Sequence, residues 1–80
     1  MTDHQDLVQR LLTLAREHFG GRADALTAGD DLYDALQIDS MDALDLLTKL
    51  EEAFEIEIPD YEMQDVRTIA SIAEIVGRRL

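Results

Sequence analysis

The residues best suited to chemistry gather at Ile38-Asp39-Ser40-Met41-Asp42, where one serine hydroxyl stands between two carboxylates. In that setting a serine either caps a helix, because Ser and Asp both accept from the free N–H groups of a first turn, or is itself modified. A serine nucleophile would need a base and an orienting acid within hydrogen-bond reach. His4 and His18 are the only histidines, and nothing in the spacing sets either beside Ser40. A hydrolase is not expected. Neither histidine has a second ligand at metal-binding spacing. The acids of residues 30–42 lack the glycine that an EF-hand calcium loop requires, since none occurs between Gly29 and Gly77. No metal site is expected. With no cysteine, the chain has no disulfide, thiolate ligand or thiol nucleophile of its own.

The elements that must position Ser40 are legible as apolar periodicity. From about Asp3 to Phe19, Leu7, Leu11 and Leu14 beside Val8, Leu12 and Ala15 make one helical stripe. Thr2 with Gln5 resembles a capping box, and Gly20-Gly21 is a stop signal. The stretch from Gly20 to Gln37 mixes Gly, Asp and Thr and reads as a long loop pinned by Leu26, Leu32, Tyr33 and Leu36, with a helical turn around 30–36. A second helix spans about Ser40 to Phe54. Met41, Leu44, Leu47 and Leu50, with Ala43, Leu46 and Phe54, form its apolar side, and Asp45, Thr48, Glu51, Glu52 and Glu55 its polar side. Asp39 is placed to cap this helix by accepting from N–H groups near Met41 and Asp42, and Asp42 puts negative charge where the macrodipole favours it. Ser40 then sits at the helix mouth with its hydroxyl free to point outward. Ile56 and Ile58 alternate as in a strand, but Pro59 and the lack of a pairing partner predict an extended connection. A short helical piece around Tyr61–Asp65 precedes a last helix from about Thr68 to Arg79, with Ile69, Ile72, Ala73, Val76 and Leu80 as its stripe and Thr68 as its cap. The expected fold is all-α, with three main helices, one short helix and a long loop after the first.

Size and charge narrow the function class. A chain of 80 residues is one small domain, buries only about 60–65% of its unfolded surface and has little room for a deep enzyme pocket. A binding or carrier module fits better. No stretch approaches the roughly 18 apolar residues of a membrane span, and no basic and apolar leader opens the chain, so a soluble cytoplasmic protein without membrane insertion is expected. The net charge is −11, and residues 38–65 hold ten acids against one base, Lys49. Such a surface repels nucleic acid and speeds encounters with proteins that present Arg/Lys patches; an acidic face also simply keeps a small protein soluble.

From Leu32 to about Val76 the order L-x-x-x-L-x-x-D-S-M-D-x-L-x-L-L-x-x-L-E-E-x-F-x-I-E-I-P-D resembles an acyl carrier protein. Asp39-Ser40-Met41 matches that family's D-S-L motif, and Leu50-Glu51-Glu52-Ala53-Phe54 with Ile58-Pro59-Asp60 matches its L-E-E-x-F…I-P-D signature. The resemblance implies a single, non-catalytic, monomeric carrier domain over residues 1–80 with a four-helix bundle. It implies that Ser40 receives 4′-phosphopantetheine from coenzyme A through a phosphopantetheinyl transferase. The thiol missing from the chain would arrive with that group and hold acyl intermediates as thioesters for enzymes of fatty acid, polyketide or related biosynthesis. It further implies that Asp39, Met41, Asp42, Asp45, Thr48, Glu51 and Glu52 dock basic-patched acyl-transfer, condensing or modifying enzymes. Leu44, Leu47, Phe54, Ile58, Ile69 and Ile72 are the residues expected to line an acyl cavity, or else are simply core. The competing expectation is an unmodified acidic interaction module.

Three departures, Ala35, Gln37 and Met41, qualify the match. The family commonly reads D-L-G-x-D-S-L-D, where this chain has Ala35-Leu36-Gln37-Ile38-Asp39-Ser40-Met41-Asp42. If the glycine serves a left-handed backbone, Gln37 in the same turn costs about 1 kcal/mol. These departures leave open whether the chain serves the housekeeping fatty acid system or is a specialised, stand-alone carrier.

Overall fold

The first helix, α1 (His4–Phe19), begins where the Asp3 carboxylate accepts from Gln5 N–H and ends at Gly20, whose φ of 69° takes the chain into the left-handed region. That conformation is easy for glycine and explains the stop signal. The computed structural model describes residues 3–63 and 66–80, so the expected Thr2–Gln5 capping box lies outside it. Leu7, Val8, Leu11, Leu12 and Ala15 are buried, and Leu14 packs half-buried against the same core.

Beyond Gly20 the chain does not run as an open loop. A 3-10 turn at Gly20–Ala23 and a short helix, α2 (Leu32–Leu36), interrupt it. The turn around 30–36 is thus a real helix: the Asp31 carboxylate accepts from the N–H groups of Tyr33 (2.9 Å) and Asp34 (3.3 Å). Leu26, Leu32 and Leu36 are buried and Tyr33 is half-buried, so the segment is pinned at the expected residues. Two backbone bonds tie it to the far end of the chain, Leu32 N–H to Arg67 C=O at 2.7 Å and Ala70 N–H to Ala28 C=O at 3.0 Å.

Helix α3 (Ser40–Phe54) has the expected bounds. Its buried side is Leu46, Leu47, Leu50 and Phe54, whereas Met41 is 70% and Leu44 48% exposed. The expected stripe is corrected at these two positions, which lie within the first five residues of α3 and are left largely uncovered. The extended connection 56–59 buries Ile58 and half-buries Ile56, and no strand occurs among the described residues. Helix α4 (Asp60–Met63) is the expected short piece; Asp65, its expected end, lies outside the described residues.

Helix α5 (Ile69–Arg79) is capped by Thr68, whose hydroxyl accepts from Ser71 N–H at 3.1 Å. Ile69, Ile72, Ala73 and Val76 are buried together with Ile75, which the stripe omitted. Leu80 is 58% exposed, a correction: it follows the last turn, beside Arg78 and Arg79, with nothing packed over it. The core forms where α1 packs on α5 and α3, and Ala15 and Ala73 are fully enclosed in it. The larger enclosed side chains around them, such as Leu7, Leu11, Leu50, Ile69 and Val76, contribute roughly 1.5–3 kcal/mol each relative to exposure. Three long helices and two short ones therefore hold the segment that presents Ser40.

Candidate functional site

Ser40 is the first residue of α3 and is exposed. It stands between two carboxylates that are already engaged. Asp39 Oδ1 accepts from Asp42 N–H at 3.1 Å, and Asp42 Oδ2 accepts from Asp39 N–H at 3.4 Å, a reciprocal capping box. Each acid thereby satisfies a backbone donor that the helix start leaves free. The expected cap at Asp39 is thus present in reciprocal form, with Asp42 N–H as the bonded donor. The only other serine, Ser71, is half-buried, and its hydroxyl oxygen accepts from Thr68 Oγ1 at 2.9 Å.

The turn that delivers Ser40 is left-handed at Gln37, with φ 56° and ψ 43°. The position keeps the glycine-like backbone even though glycine is replaced, at a cost of roughly 1 kcal/mol. Two contacts hold it. The Gln37 amide donates to Asp34 C=O at 3.3 Å, and the Arg22 guanidinium donates to the carbonyls of Leu36 and of Gln37, the latter at 3.1 Å.

Ser40 also lies on the rim of a cavity of about 280 Å³. From α3, Ser40, Leu44 and Leu47 fall four and three residues apart on one side of the helix and make an apolar track from the hydroxyl inward. Ala43, Leu46 and Leu50 add the deeper wall, Leu32 and Tyr33 of α2 a second side, and Met63, Val66 and Ile72 a third. Of the residues expected to line a cavity, Leu44, Leu47 and Ile72 do. Phe54, Ile58 and Ile69 are not among its lining residues and are buried in the core, the alternative left open for them. Phe54 lies at the far end of α3, where the Arg10 guanidinium sits 4.3 Å from its ring centroid. Ile58 follows the end of α3, its N–H bonded to Glu51 Oε2 at 2.9 Å. Ile69 is enclosed at the first turn of α5, beside the Ala70–Ala28 backbone bond.

Beside the cavity, Arg67 Nε donates to Asp31 Oδ2 at 2.6 Å, and its guanidinium lies 4.7 Å from the Tyr33 ring centroid. The hydrogen bond from Arg67 is the largest cause holding the Asp31 carboxyl below its ordinary pKa; partial desolvation opposes it, and the N–H groups of Asp34 and Tyr33 assist. The same pairing raises Arg67.

The acidic face is less uniform than its sequence suggests. Asp39, Asp45 and Glu52 are exposed and Asp42 is half-exposed. Thr48 is exposed with its hydroxyl donating to Leu44 C=O at 3.1 Å. Glu51 is half-buried and bonded to the 56–59 connection, so one of its oxygens serves the fold. Sequence reasoning did not single out Arg22 or Arg67, whose partners lie 14 and 36 residues away. The only signal was that each is a lone base in an acidic chain. Among the described residues no cluster of three or more His, Asp or Glu side chains is arranged to hold a metal, and no helix is long and apolar enough to cross a membrane.

The family described as the phosphopantetheine attachment site matches residues 9–76, well over half of the chain, a span that includes α2, α3, the cavity and most of α5. Its members are carrier proteins, generally non-catalytic, that bear covalently attached 4′-phosphopantetheine and interact with phosphopantetheinyl transferases and acyl-processing enzymes. This chain belongs to the phosphopantetheine-attachment family of carrier proteins.

Proposed function

We propose that Ser40 is the attachment residue and that the chain is an acyl carrier, delivering acyl groups to enzymes of fatty acid, polyketide or related biosynthesis. The observation that supports this most directly is the double position of Ser40, exposed at the start of α3 and at the same time on the rim of an apolar cavity. A hydroxyl that must enter another protein's active site has to be exposed. A cargo chain tethered there needs apolar shelter within reach, and each CH₂ it buries is worth about 0.8 kcal/mol. Ser71, turned into the α5 cap, meets neither need.

The bound group supplies the thiol that the chain lacks, and acyl groups are held on it as thioesters. The protein's own residues orient and present. Asp39 and Asp42 each give one carboxylate oxygen to a backbone N–H and so fix the first turn that carries Ser40. The exposed carboxylates of Asp39, Asp45 and Glu52, with half-exposed Asp42 and Glu51, form a negative strip beside and below Ser40. Such a strip steers encounters with Arg/Lys-lined partners more than it tightens them, which suits a carrier that must dock and leave. Met41, 70% exposed beside the attachment residue, is a flexible apolar contact able to fit several surfaces.

The test is intact-mass analysis of the apo-protein after incubation with coenzyme A and a broad-specificity phosphopantetheinyl transferase. One phosphopantetheine adduct per chain is expected, and its free thiol should then react once with a maleimide. A chain left unmodified by several transferases would contradict the proposal.

A further inference from the structure

Nothing in the short motif around Ser40 explains why a non-glycine residue is tolerated in the left-handed turn before it. The structure supplies a reason 15 residues upstream of Gln37. Arg22, carried on the 3-10 turn, donates through one guanidinium nitrogen to both the Leu36 and Gln37 carbonyls. These are C-terminal carbonyls of α2, which have no partner within the helix and favour a cation. We infer that Arg22 is a positioning residue for Ser40: its clamp on the Leu36 and Gln37 carbonyls holds the left-handed turn and so fixes how α3 presents the serine. This inference rests on the reading that Ser40 is the modified residue.

The path from clamp to serine leaves little slack. Gln37 is left-handed under the clamp, Ile38 is buried, and Asp39 is held by the capping box with Asp42. Without Arg22, Gln37 is drawn toward ordinary backbone regions, because a side chain with a Cβ disfavours φ near +56°. The peptide before Ser40, with the Asp39 N–H held by its 3.4 Å bond to Asp42 Oδ2, then samples other arrangements while the rest of α3 remains. If only a fraction of molecules presents Ser40 correctly, the apparent affinity of the transferase falls by that fraction while turnover of the bound complex does not change. A glycine at position 37 occupies the same turn without that opposition, so the need for Arg22 shrinks.

The experiment is a double-mutant cycle on the full-length apo-protein with Arg22→Gln, Gln37→Gly and both together. Transferase kinetics and amide hydrogen exchange at Ile38 and Asp39 are the two readouts. Arg22→Gln should raise the KM for the carrier about fivefold at nearly unchanged kcat. It should speed exchange at the two amides by a similar factor, about fivefold. In the Gln37→Gly background both effects should fall below about twofold. Equal effects in the two backgrounds, or wild-type KM and exchange in Arg22→Gln, would overturn the positioning role while leaving the carrier reading intact. A wild type that no transferase modifies overturns the carrier reading instead, and exchange at Ile38 and Asp39 still decides whether Arg22 holds the turn.

Discussion

The amides and carboxylates of Asp39 and Asp42 cross-bond, Asp42 N–H to Asp39 Oδ1 at 3.1 Å and Asp39 N–H to Asp42 Oδ2 at 3.4 Å. Ser40, between them, carries no share of the cap. Asp39→Ala should therefore cost about 1 kcal/mol. Asp42→Ala should cost less, because its own bond is the longer one. Urea unfolding should show lower midpoints at constant m. A full-sized loss from Ser40→Ala would show that the serine, and not Asp39, is the cap.

Leu44 and Leu47 both line the cavity, but they differ in what surrounds them. Leu47 is 5% exposed and Leu44 48%. Leu47→Ala should destabilise by roughly 2–4 kcal/mol, as buried leucine truncations do. Leu44→Ala should cost less than about 1 kcal/mol, the range of exposed substitutions. Equal losses in chemical denaturation would mean that the first turn of α3 is covered after all.

The two adjacent glutamates of α3 separate docking from folding. Glu52 is exposed and free of backbone duty, whereas Glu51 holds Ile58 N–H. Glu52→Lys should slow association with a basic-patched acyl enzyme several-fold at low salt, with the difference vanishing as ionic strength rises. Glu51→Lys should slow association too, and should also lower stability by about 1–3 kcal/mol through the lost bond to a charged acceptor. Stopped-flow association together with urea unfolding reads both. An unchanged on-rate for Glu52→Lys would make the acidic face a solubility feature only.

The Asp31–Arg67 pair gives the fold a pH signature. The folded pKa of Asp31 is lowered chiefly by the Arg67 hydrogen bond. Its ionised form therefore favours the fold above the unfolded value of 3.8, and that contribution is lost as pH falls through the lowered folded value. Arg67 is raised from an already high value and adds no slope in the acid range. Thermal melting from pH 6 down to about pH 2 should show a shallower acid limb in Asp31→Asn than in wild type. Parallel limbs would place the acid sensitivity elsewhere.

The long helices were legible because their burial is periodic: the stripes of α1, α3 and α5 predict most of the core, and the cap residues Asp39 and Thr68 mark two starts. What sequence missed has a common cause. Leu44 and Leu80 have the apolar character and spacing of core, yet exposure depends on whether another element reaches them, which local pattern does not encode. Phe54, Ile58 and Ile69 were legible as buried, but which members of the one core face the cavity depends on how the helices meet. The clamps of Arg22 and Arg67 join residues distant in sequence, so their roles appear only once the 3-10 turn, α2 and the start of α5 are brought together. Gln37 lies between: the replaced glycine raised a left-handed turn as one of two options, the other being a different turn, and the backbone keeps the first.

The central claim is that one hydroxyl, that of Ser40, is the tether. The most direct measurement is site localisation by tandem mass spectrometry of peptides from protein treated with coenzyme A and a phosphopantetheinyl transferase, run on wild type, Ser40→Ala and Ser71→Ala. A phosphopantetheine adduct is expected on the Ser40 peptide of wild type and Ser71→Ala, and none on Ser40→Ala. An adduct that persists in Ser40→Ala, or that maps to any other residue, would contradict it.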